Sequence, residues 1–153
     1  SSRCRLKPKP WLTECLAKPL LIKPLCCITQ GFYYFRVWSI EILPEVRERL
    51  LELDDDTYQQ VITALGVLGD IGPKLGRPSV DSIAGSSIHN MKELRPGSSG
   101  STEIRILFVF DPKRRAVLLV GGDKSRNYVG WYRKNIPLAE ARFALYLEGE
   151  RNG

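Results

Sequence analysis

Apolar and polar residues alternate along Val37-Trp-Ser-Ile-Glu-Ile-Leu, the pattern of a half-buried strand with Trp38, Ile40 and Ile42 toward a core and Val37, Ser39 and Glu41 on the other side. Pro44 suits the first turn of a helix and opens a segment to about Leu53 in which Val46, Leu50 and Leu53 form one buried stripe. Asp54-Asp-Asp breaks that helix, and one of the three aspartates is placed to cap a second, from Thr57 to about Leu68, with Val61, Leu65 and Leu68 on one face. Gly69, Gly72, Pro73, Gly76 and Pro78 end the helical signal and predict a loop lasting to about Ser87.

Three strand signals follow: Ile88 to Leu94, Thr102 to Phe110 and Ala116 to Gly121. The first two are joined by the Gly- and Ser-rich turn from Arg95 to Ser101, the last two by the tight turn Asp111-Pro-Lys-Arg, so an antiparallel meander is the simplest assembly. An aromatic stretch with Tyr128, Trp131 and Tyr132 leads into a last helix, predicted to have Pro137 in its first turn and Leu138, Ala141 and Leu145 on the face that packs on the sheet. The expected fold is α+β: a small, mostly antiparallel sheet with an N-terminal helical hairpin and a C-terminal helix.

Residues 1–36 have a different composition. They hold all four cysteines, four of the ten prolines, and seven basic residues against one acid. Proline at that density opposes a long helix or a central strand, so an irregular basic extension is expected ahead of a domain at 37–153, as upstream sequence or as a regulatory arm. Lys18, Lys23 and the prolines spoil a secretory signal, and no apolar run approaches the roughly 20 residues of a membrane-spanning helix. One histidine and no pair of C-x-x-C knuckles give no support for a zinc site. No cofactor is expected, and a cysteine-free domain suits a reducing cytoplasm.

Charge refines this picture. From Val37 onward there are sixteen basic and sixteen acidic residues, yet Val37 to Asp70 carries two basic against eight acidic while Ile71 to Lys134 carries twelve against five. An electrically divided domain of this kind presents one face suited to phosphate, and such contacts give affinity without sequence information. Within the basic half, Arg105 lies in the nearly continuous apolar run Ile104-Arg-Ile-Leu-Phe-Val-Phe, where a charge is costly unless it reaches a partner or an open surface. Lys113, Arg114 and Arg115 form the densest basic cluster, but as a hairpin tip they are expected to be exposed. The acidic helices from Glu45 to Asp70 are read as a solvated face or a docking surface.

The chain has no nucleophile elbow and no Ser-His-Asp arrangement, and Gly121-Gly-Asp-Lys-Ser lacks the first glycine of a phosphate loop. The remaining candidates are basic and aromatic: Lys92, Arg95, Arg105, Lys124 and Arg126, then Tyr128, with Lys74 and Arg77 in the preceding loop as phosphate contacts. This set suits RNA cleavage without a metal. The substrate supplies its 2′-hydroxyl as nucleophile, cations stabilise the crowded phosphate in the transition state, and an acid protonates the leaving 5′-oxygen. The arginine fork is matched to two phosphate oxygens.

Four segments in order, Met91-Lys-Glu-Leu-Arg, Glu103-Ile-Arg-Ile-Leu-Phe-Val-Phe, Val117-Leu-Leu-Val-Gly-Gly-Asp-Lys-Ser and Trp131-Tyr-Arg-Lys-Asn-Ile-Pro-Leu-Ala-Glu-Ala-Arg, resemble the RelE/ParE superfamily of type II toxin–antitoxin toxins, most closely its HigB-like, phage Gp49-related branch. The resemblance implies a ribosome-dependent mRNA endonuclease that enters the ribosomal A site, contacts mRNA and ribosomal RNA, and is neutralised by a cognate HigA-like antitoxin. By the same resemblance Lys92 and Arg95 match basic positions at the end of one strand, Arg105 the arginine of the next, and Lys124 and Arg126 the basic pair after the last. Tyr128 matches an aromatic that stacks on a base or assists proton transfer. His89 is a further acid–base candidate, because its pKa lies near operating pH. The chain departs from the family in its long Arg95 to Ser101 turn and in lacking a C-terminal histidine cluster. The alternatives are a ParE-like inhibitor of DNA gyrase and a catalytically inactive nucleic-acid-binding or partner-binding module.

Overall fold

The computed structural model describes residues 37–98 and 100–153, so the expectation for residues 1–36 lies outside the described residues. Strand β1 (Ser39–Ile42) leads through Leu43 into helix α1 (Pro44–Leu51), and helix α2 (Asp55–Ile71) follows after three residues. Pro44 stands at the start of α1, and the Asp54 side chain accepts from Thr57 N at 3.0 Å to cap α2. Val46, Leu50, Val61, Leu65 and Leu68 are buried as their spacing predicts, and Tyr58 joins them. Each contributes about 1.5–3 kcal/mol of apolar burial. Gly72 ends α2 at φ +70°, and a side chain there would run into the indole of Trp38.

The strands β2 (Val80–Ser82), β3 (Met91–Leu94), β4 (Ile104–Phe110) and β5 (Arg115–Asp123) complete one five-stranded sheet in the order β1-β5-β4-β3-β2. The β3–β4–β5 meander is antiparallel as expected, and β1 lies parallel to β5 on the far side. Strand β2, three residues pairing antiparallel with β3, falls within the stretch expected to be all loop. A register shift beside Leu107 and Phe108 gives β5 an extra residue at Leu119, so Val117, Leu119 and Val120 all join the core cluster with Met91, Leu107 and Val109.

Helix α3 (Tyr128–Asn152) packs on that cluster through Ala139, Ile136, Phe143 and Tyr146, and it corrects two expectations. It starts at Tyr128, with Pro137 inside it, because Asn127 supplies the cap: its Oδ1 accepts from Gly130 N at 2.9 Å. Its inward residues are Ile136, Leu138, Ala139, Phe143 and Tyr146, so Leu138 packs as expected while Ala141 is exposed and Leu145 is 67% exposed. Where Trp131 crosses the sheet, a side chain at Gly122 would stand 2.8 Å from its indole nitrogen. Gly121 faces the opposite side, toward Val46 of α1. No helix among the described residues is long and apolar enough to cross a membrane.

The Asp111–Arg115 hairpin also departs from expectation. Arg115 is buried, not an exposed tip charge: its guanidinium meets Asp111 at 2.6 Å and Glu150 of α3 at 2.8 Å, and lies over the Tyr146 ring at 5.3 Å. Asp111 is buried too and accepts from Lys113 N and Arg115 N, while Lys113 reaches Glu150 at 2.6 Å. These contacts tie the hairpin to the last turns of α3.

Candidate active site

Strand alternation puts Glu93 and Arg105 on the α3 face of β3 and β4, at the end of the sheet where α3 begins. Glu93 is buried to 1% exposure, and its two oxygens organise the surroundings. Oε1 accepts from Arg95 Nε at 2.7 Å and faces Arg105 Nε at 3.8 Å, and Oε2 accepts from the Tyr132 hydroxyl. Arg95 extends the network through its second nitrogen to Asp81 on β2 at 2.9 Å, and Asp81 also holds Arg77 at 3.0 Å. Glu93 is the residue of this cluster that is not legible in the sequence. Its only signal was an acid flanked by the buried Met91 and Leu94, in phase with Arg95.

Arg105 is differently committed. One terminal nitrogen donates to Ile104 O at 2.8 Å, and its buried Nε makes no hydrogen bond. Of its five N–H donors one is spent on Ile104 O and the Nε–H is buried facing Glu93, which leaves its remaining terminal N–H groups uncommitted, whereas Arg95 has spent two nitrogens on carboxylates. The Arg105 side chain is 14% exposed.

Lys124 is placed by the turn that leads into α3. Asp123 accepts from Glu103 N at 3.0 Å and Ser125 N at 2.9 Å, and Asn127 N donates to Lys124 O at 3.2 Å. The Lys124 side chain folds inward to 6% exposure, with its ammonium 4.1 Å from the Tyr128 ring centre and 5.6 Å from that of Tyr132. Glu103 lies 3.8 Å away and half exposed. Burial, and then the charge of Arg105, lower the Lys124 pKa below the usual lysine range. Burial and the bond to Glu93 raise that of Tyr132, which stays a neutral phenol, while the Glu93 carboxylate keeps Arg95 firmly charged. Tyr128 is 58% exposed and forms the outer wall.

The structure thus brings Arg95, Arg105, Lys124 and Tyr128 together, with Arg77 at the margin through Asp81. Arg126 is exposed in the same turn but lines a separate cleft with Arg49 and Lys134. Lys92 lies on the opposite face of β3 from Glu93. Lys74, in the turn after α2, and His89, on the bend before β3, are exposed and make no contact with this cluster. Among the described residues, no group of three or more His, Cys, Asp or Glu side chains is arranged to hold a metal ion.

Glu93→Gln is expected to lower stability by about 1.5–3 kcal/mol, the value of a hydrogen bond to a charged group, because it removes the anion that two arginines face. Urea denaturation measures this, and an unchanged midpoint would mean that Glu93 does not organise the cluster.

The site is thus basic and aromatic and sits on an α+β scaffold, with Arg105 beside the buried Glu93 and the buried Lys124 close by. Residues 48–144 match the phage derived Gp49-like proteins (DUF891). The chain is 46% identical over 115 residues to the candidate toxin HigB3 of Mycobacterium tuberculosis, covering 75% of this chain and 98% of that one. It is 50% identical over 110 residues to the candidate toxin HigB2 of the same organism, covering 72% of this chain and 54% of the relative. A solved structure of an E. coli RelE toxin mutant in the free state aligns with 61% of this chain and 90% of its own, at 11% identity and a TM-score of 0.47. The chain belongs to the Gp49-like family, as a HigB-like toxin of the toxin–antitoxin type.

Proposed function

We propose that this toxin is a ribosome-dependent endoribonuclease of the cytoplasm that cleaves mRNA in the ribosomal A site, needs no cofactor, and is held inactive by a cognate HigA-like antitoxin. The observation that best supports this reading is Arg105, a guanidinium with terminal N–H groups left uncommitted, seated beside a buried carboxylate and near a buried lysine. In the proposed reaction the 2′-oxygen attacks the adjacent phosphorus, its proton passes to water, and the bond to the 5′-oxygen breaks. Arg105 forks onto the non-bridging oxygens, where charge accumulates. Lys124, made more acidic by burial, protonates the departing 5′-oxygen. Tyr128 offers its exposed ring to a neighbouring base, worth roughly 1–3 kcal/mol if it stacks. Arg95, Glu93 and Tyr132 hold Arg105 and Lys124 in place.

On this account the exposed His89 has no part in proton transfer. His89→Ala is expected to retain cleavage within about 3-fold of the parent, less than the 10²–10⁴-fold that a general acid or base supplies. Primer extension on a translated message measures it, and a loss of 100-fold would return His89 to the site.

A further inference from the structure

The last residue of β1 to pair with β5 is Ile42, opposite Leu118, so no described strand covers the outer edge of β5 from Leu119 to Asp123. Beside that edge opens a cleft of about 480 Å³ between α1, the Lys124–Asn127 turn and the first turns of α3. Arg49 enters it from α1, Arg126 from the turn and Lys134 from α3, three elements that only the fold brings together.

The polar groups that accompany these cations are already engaged. Asp123, the one carboxylate of the lining, accepts two backbone N–H groups. Asn127 caps α3, and the Asn135 amide donates to Trp131 O. Among the described residues Arg49 meets Glu52 at 2.7 Å, with both side chains more than half exposed, and such a pair is worth about 0.2–1 kcal/mol and yields readily to a phosphate. The cleft therefore offers three cations beside the open backbone edge of β5, with its one carboxylate already held by backbone N–H groups. Its size falls within the roughly 300–1,000 Å³ of small-ligand sites. It also adjoins the Arg105 cluster, because Gly122 and Trp131 line it and Gly122 stands opposite Arg105 in the β4–β5 register.

We propose that this cleft binds the phosphodiester backbone of RNA next to the cleaved bond, using Arg49, Arg126 and Lys134. The proposal rests on the endoribonuclease reading and extends it: affinity resides in one basic site and bond cleavage in its neighbour. Contacts to phosphate position a strand without specifying its sequence.

The test uses the full chain with Arg49→Ala and Lys134→Ala combined, and a second variant, Lys134→Glu, each checked for native circular dichroism. In a reconstituted translation reaction the double variant should need at least 10-fold more protein for half-maximal cleavage while keeping the parental rate at saturation. Its plot of log affinity against log salt should flatten by about 1.4, two contacts at roughly 0.7 each. Co-sedimentation with ribosomes separates the sources of the backbone. Loss only on programmed ribosomes identifies the message and supports the proposal, whereas equal loss on ribosomes lacking mRNA assigns the cleft to ribosomal RNA and overturns its place next to the cleaved bond. A lower saturating rate with unchanged half-saturation would overturn the proposal, as would parental cleavage combined with escape from the antitoxin, which would make the cleft a protein-docking site. If the parent protein cleaves nothing, the endoribonuclease reading fails, and sedimentation still decides the cleft: parental binding by both variants overturns it.

Discussion

Arg105→Ala is expected to reduce mRNA cleavage by about 10²–10³-fold, the usual cost of removing one preorganised donor from a developing oxyanion, and to leave the protein folded. The fold should survive because Glu93 keeps its bonds from Arg95 and Tyr132 when Arg105 is gone. Arg105 spends little on the structure, with one bond to Ile104 O and a loose ion pair at 3.8 Å. The deficit should lie in the rate at saturation, since the guanidinium is matched to the transition-state phosphate. Arg105→Lys should recover only part of it, because an ammonium supplies the charge without the planar fork. Single-turnover cleavage on programmed ribosomes separates these cases, and parental activity in a folded Arg105→Ala protein would remove this residue from the chemistry.

The second large effect concerns stability. Arg115→Ala should destabilise the domain by about 3–4 kcal/mol, because it leaves the buried Asp111 carboxylate without its cation and loosens Glu150 on α3. The melting temperature should fall by roughly 10 °C. The same clamp predicts a response to acid. Arg115, first, and Lys113 lower the Glu150 pKa from 4.5 to about 2. A carboxylate whose folded pKa is depressed stabilises the fold at pH values above its unfolded pKa, and that contribution fades as pH falls from 4.5 toward about 2. Glu150→Gln should therefore be less stable than the parent near neutrality and nearly equal to it at the acid end. Calorimetry across that range measures the difference, and a constant gap between the two proteins would contradict the clamp.

The helical hairpin and the central strands were legible in the sequence because their apolar periodicity is strong and bounded. The Val46 and Leu50 stripe, the Val61, Leu65 and Leu68 stripe and the run Ile104 to Phe110 each bury as their spacing indicates. The start of α3 is not legible because Pro137 imitates a first-turn residue, although Asn127 ten positions earlier carries the cap. Strand β2 was hidden because three residues in a Gly- and Pro-rich stretch show no periodicity, and only pairing with β3 defines it. Arg115 was read as exposed from its local context, since Glu150 lies 35 residues away along the chain. In the candidate site, Arg105 and Lys124 stood out as basic residues among strands, while Glu93 did not. A buried carboxylate is recognisable only once the cations around it are placed in space, and Arg126 and Lys134 joined Arg49 for the same reason.

The most direct measurement is to add the purified protein to a reconstituted translation reaction and map new mRNA ends, with the same message and no ribosomes as the control. Cuts within codons are expected on translating ribosomes, with an intact message in the control and loss of the cuts with Arg105→Ala. An intact message in both reactions, from a folded protein, would contradict the proposed activity.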